Sequence, residues 1–81
     1  MKKTVHTVAQ LALRRGLVKA RKSAELTQQE LAKHLGKPQS FVAKYETGER
    51  RLDVVEFLRV MRAIGTREQP LLHSVKRVLD S

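Results

Sequence analysis

The 81-residue chain contains no cysteine. That absence excludes a disulfide framework and a thiolate-ligated zinc site, and it makes a reducing cytoplasm the expected compartment. With only four glycines and two prolines there are few helix breakers, and no stretch alternates strictly between apolar and polar residues, so strands are not expected. Phe41, Tyr45 and Phe57 are the whole aromatic complement, too few for the exposed rings on which single-stranded nucleic acid stacks. No apolar run approaches the roughly 18 residues needed to span a bilayer. The basic start at Met1, Lys2 and Lys3 is soon interrupted by His6, Gln10, Arg14 and Arg15 with no small-residue cleavage site, so neither a leader nor a membrane anchor is expected. His6, His34 and His73 lack a second ligand at a spacing of three or four, which argues against a metal centre. His73 and Ser74 point about 100° apart on a helix and have no third group to orient a base, so they are not a catalytic pair. The expectation is a protein that is not an enzyme and carries no cofactor.

Acidic residues are scarce too. Eight Asp and Glu face 17 Lys and Arg, a formal net charge of +9, and such an excess favours a polyanionic partner. With membranes and single strands disfavoured, duplex DNA is the simplest candidate. The length suits one compact unit that buries about 60% of its unfolded surface, and the apolar spacing makes that unit all-α, a bundle of four to five short helices.

The punctuation places the helices. Residues 1–10 read as a basic arm or an added turn, followed by a first helix to about Lys22 with Leu13, Leu17, Ala20 and Ala24 along one side. Gly16 weakens that pattern. Thr27 and Glu30 form a capping box, with Leu26 and Leu31 placed as a hydrophobic staple, and Gly36 ends the second helix. Pro38 opens a third, to about Thr47. At about 100° per residue, Phe41, Val42 and Tyr45 share one arc of it, while Gln39, Ser40, Ala43, Lys44 and Thr47 share the other. Gly48 ends this helix, and Asp53 with Glu56 repeats the capping box, bracketed by Leu52 and Phe57. The fourth helix runs to about Ile64 with Phe57, Leu58, Met61 and Ile64 inward, and Gly65 stops it. Pro70 opens a last amphipathic segment carrying Leu71, Leu72, Val75, Val78 and Leu79, read as the fifth helix of the bundle, a dimer contact, or both. The organisation is therefore 1–10, a helix-turn-helix unit over 11–66, and a C-terminal helix over 67–81.

Two helices joined by a tight glycine turn, the second with one small polar face, form the arrangement whose second helix enters the major groove. Gln39 can bond an adenine edge twice, Lys44 can donate to guanine, Ser40 can bond several bases, and Ala43 permits close approach. The plainer reading of the same face is a solvated helix surface, and Lys44 can equally serve a phosphate. Lys37, Thr47, Arg50 and Arg51 lie at the end of this helix or beside it, where a DNA backbone would pass. Phe41, at the edge of the apolar arc, is read as core rather than as a thymine contact.

From Arg21 through Leu-Thr-Gln-Gln-Glu-Leu-Ala (26–32), Gly36, Pro38-Gln39-Ser40, Val42, Lys44-Tyr45-Glu46 and Gly48-Glu49-Arg50-Arg51 to Ile64-Gly65, the sequence resembles the Cro and phage-repressor (XRE) helix-turn-helix regulators. The resemblance implies a lambda-repressor-like bundle, binding to duplex DNA as a homodimer on a palindromic operator, and control of transcription. It also implies that Gln28 is a phosphate ligand that steadies Gln39, and that Arg21 and Glu46 form a structural salt bridge. Two alternatives stay open: an antitoxin-type regulator that also grips a protein partner, such as a toxin or another regulator, and an adaptor that binds protein without reading DNA. Lys2 and Lys3 are read as a disordered terminus or a weak phosphate contact.

Overall fold

Five α-helices follow one another in the computed structural model, which describes residues 4–81: α1 (Val5–Ser23), α2 (Gln28–Leu35), α3 (Gln39–Thr47), α4 (Val54–Ile64) and α5 (Gln69–Asp80). No strand occurs among the described residues. Both capping boxes are present: Thr27 Oγ1 accepts from Glu30 N and Asp53 Oδ1 from Glu56 N, while each glutamate accepts in return from the backbone N–H of its cap residue. Gly36 (φ 68°) and Gly48 (φ 89°) end α2 and α3 in the left-handed conformation that a side chain would strain. Pro38 sits one place earlier than expected, as the cap residue of α3.

The first helix starts well before its expected place. Thr4 caps it, accepting a hydrogen bond from Thr7 N, so Val5–Gln10 are its first turns and not an arm; Lys2 and Lys3 lie outside the described residues. Its C-terminal end also differs, since Ala24 is the exposed cap residue and not a core position. The core comprises Leu17, Leu31, Ala32, Leu35, Val42, Tyr45, Phe57, Val60, Met61 and Ile64, with Leu13, Ala20, Leu26, Phe41, Leu52 and Leu71 packed against it. Leu58, expected inward, is 43% exposed, and Val60 takes its place at 1%. Residues 57, 60, 61 and 64 follow the helical spacing of three and four, from which position 58 departs by about 100°.

α5 packs along α1. Leu71 covers Gly16, where an added Cβ would collide with the leucine side chain. Leu71, Val75 and Val78 are half-buried, while Leu72 and Leu79 stay exposed. The stripe is thus the fifth helix of the bundle, and its main packing partner is α1.

Candidate nucleic-acid interface

α3 is amphipathic in a particular way. Val42 and Tyr45 are 0% and 2% exposed, which fixes the helix to the core by one arc. The opposite arc presents Gln39, Ser40, Lys44 and Thr47 to solvent, with Ala43 half-buried between them. All five expected members therefore share one open face. Thr47 donates its hydroxyl to Lys44 O at 3.2 Å, so its side chain lies along the helix end.

A chain of polar contacts runs from α1 to that face. Arg21, 8% exposed, donates Nε to Glu46 Oε2 at 2.8 Å and Nη2 to Oε1 at 3.1 Å, and Nη1 to Leu26 O at 2.8 Å. This two-point hold keeps the guanidinium further protonated, its ionisation raised first by the Glu46 hydrogen bond. Gln28 Nε2 donates to Glu46 Oε1 at 2.8 Å, and Gln28 Oε1 accepts from Gln39 Nε2 at 3.4 Å. The direction follows from chemistry. Arginine only donates and an ionised carboxylate only accepts, so the Gln28 amide must turn its NH₂ to Glu46 and its carbonyl to Gln39. Each link fixes the next, and the salt bridge implied by the resemblance is the anchor.

Arg50 is committed elsewhere. Its guanidinium donates to both carboxylate oxygens of Glu56, at 3.1 and 2.7 Å, and to Arg51 O at 3.1 Å. The pair, with the Asp53 N–H, holds the Glu56 carboxyl down at about 2. Phe41 is both core and platform: it meets the Tyr45 ring edge-to-face at 5.7 Å, and the Arg50 and Lys37 cations lie 4.9 and 5.6 Å from its centroid. The sequence reading missed this use of Phe41 and the second bond of Glu56, although a glutamate six residues after an arginine was a visible signal. Lys37 and Arg51 are exposed beside the two ends of α3, and neither forms an ion pair among the described residues.

A helix-turn-helix family model matches residues 17–71. The chain belongs to the XRE helix-turn-helix family. Among solved structures, this XRE-family protein is similar to an XRE-family like protein from Pseudomonas syringae pv. tomato str. DC3000, with 48% identity, a TM-score of 0.84, and coverage of 90% of this chain and 89% of the other. No curated protein matches it. Membership makes this XRE-family chain a DNA-binding regulator, and no helix among the described residues is long and apolar enough to cross a membrane.

Proposed function

We propose that this protein is a sequence-specific transcriptional regulator, acting in the cytoplasm, that lays α3 in the major groove of duplex DNA and binds a palindromic operator as a homodimer. The observation that carries the reading is the anchored polar face: Gln39 is exposed, yet its amide is oriented by a four-residue chain rooted in a buried ion pair. A merely solvated face has no use for such orientation, whereas bidentate reading of adenine requires it. Gln39, Ser40, Ala43 and Lys44 contact bases in this reading. Gln28, Lys37, Thr47 and Arg51 contact phosphates, and Arg50 adds its charge from within its pair with Glu56.

A twofold pair would place two such helices about 34 Å apart on successive turns of one groove. Support for a second copy comes from apolar residues left uncovered by the monomer, above all Val54 and Val55 at 74% and 67% exposure. Selection of binding sites from random duplexes tests the reading. The expected result is a symmetric site with half-sites one helical turn apart; recovery of no preferred sequence would overturn it.

A further inference from the structure

Between α1 and the turn after α3 lies a cavity of about 220 Å³ that meets the base-facing arc only at Thr47. Thr7, Gln10, Arg14, Thr47, Arg50 and Arg51 supply its polar wall, Arg50 being the one already paired with Glu56, and none of the residues lining it is acidic. Tyr45 forms part of the same wall. It is 2% exposed, and its hydroxyl is the buried side-chain polar atom left without a hydrogen-bond partner among the described residues. Burial pushes the ionisation of that hydroxyl up, so it stays a neutral donor. Buried polar groups without partners are uncommon and call for an explanation.

Arg14 supplies the second observation. Its guanidinium lies directly against Gly48, where a Cβ would strike Nη1, and neither described ion pair includes it. Position 48 favours glycine for its positive φ, and a side chain there would displace the Arg14 guanidinium from its seat. A guanidinium without a counter-charge among the described residues, beside Arg51 in one cavity wall, selects a compact oxyanion with several acceptor oxygens. The carbonyl end of α3 opposes an anion here, but the ninth and last residue of that helix is Thr47, and two full positive charges outweigh a fraction of one negative.

We propose that this cavity seats one phosphodiester of the DNA backbone, gripped by Arg14 and Arg51. The site rests on the duplex-binding reading above and deepens it: the cavity adjoins the last turn of α3, so a helix inserted in the groove brings the flanking strand to it. α1, a helix outside the helix-turn-helix pair, then clamps the backbone and fixes the depth of insertion.

The test uses the full chain with cognate and random duplexes across 50 to 200 mM KCl. Arg14→Ala is expected to lower the slope of log K against log salt by about one on both duplexes, which amounts to an affinity loss of about tenfold near 0.1 M salt. Ethylation of one phosphate in each half-site should block the wild type and be silent for the variant. An unchanged slope and ethylation pattern would overturn the proposal. Should Arg14→Ala fail to fold, Arg51→Ala reads the same cavity from its exposed side. In protein alone, inorganic phosphate should raise the melting temperature slightly above that in chloride at equal ionic strength, and Arg14→Ala should abolish the rise; such a rise together with an unchanged salt slope and ethylation pattern would make a free phosphoryl anion the occupant and overturn the DNA assignment. Loss of base preference is read separately with Gln39→Ala, so failure of the base reading leaves the slope result standing.

Discussion

Gln39 leans on Gln28 across the turn between α2 and α3, Nε2 to Oε1 at 3.4 Å, a long hydrogen bond whose direction is dictated from the far side by Glu46. Such a bond is weak on its own. Its value lies in turning the second N–H and the carbonyl of Gln39 toward one partner. On cognate DNA, Gln39→Ala is expected to weaken binding by about 1 to 3 kcal/mol. In a double-mutant cycle with Gln28→Ala the two substitutions should couple by about 0.5 to 3 kcal/mol. On random duplex the coupling should vanish, and additive losses on the cognate site would mean that Gln28 does not position Gln39.

The Arg21 and Glu46 side chains are 10% and 5% exposed and 2.8 Å apart. Glu46→Leu leaves a buried guanidinium with no carboxylate, and is expected to destabilise the fold by about 3 to 5 kcal/mol in urea titration. Arg21→Met combined with Glu46→Leu should recover much of that stability, because a well-packed apolar pair replaces a desolvated ionic one. Yet the double variant loses the anchor for Gln28, so stability without base preference is the expected combination. A stable double variant with intact preference would refute the positioning chain.

Acid should loosen the turn between α3 and α4. Glu56 ionises near 2 in the fold against an ordinary 4.5, first because Arg50 donates to it and then because Asp53 N does. A carboxyl depressed by folding stabilises the native state above its unfolded value and loses that contribution as the pH falls toward the folded one. Glu30 shifts in the same direction through Thr27. The urea midpoint of the wild type should therefore fall between about pH 4.5 and 2, and Glu56→Gln should give a flatter curve over that window. Parallel curves would show that the pair adds no stability.

Gly16→Ala ought to stabilise a solvated helix by about 1 kcal/mol. Here the new methyl meets Leu71, so a loss of about 1 to 3 kcal/mol is expected instead. Combining it with Leu71→Ala removes the collision, and the double variant should be no less stable than Leu71→Ala alone. Thermal unfolding of the four proteins decides this.

What could be read from the chain was local. Thr27 with Glu30 and Asp53 with Glu56 announce their helices because a capping box needs only four consecutive residues. The face of α3 follows from arithmetic on nine residues. The start of α1 was hidden: Val5, Thr7 and Val8 are poor helix formers, the first turn has no acid, and its support comes from α5, more than fifty residues away. The same distance hid the reason for Gly16, which reads as a defect until Leu71 is placed on it. Arg21 and Glu46 are 25 positions apart; family likeness joined them, not spacing. Nothing near Arg14 in the chain marks it; only the fold brings Gly48 to it and places it in one cavity wall with Tyr45.

The pairing of α5 with α1 also couples the two ends of the described chain. A cut in the Thr66–Glu68 connection would free α5 to leave α1, uncovering the side of α1 on which Leu71 sits over Gly16. Its early turns would then fray, and the arginine seated against Gly48 would lose the straight rod that aims it. Grip on the DNA strand would thus answer to proteolysis at a site that touches no nucleotide.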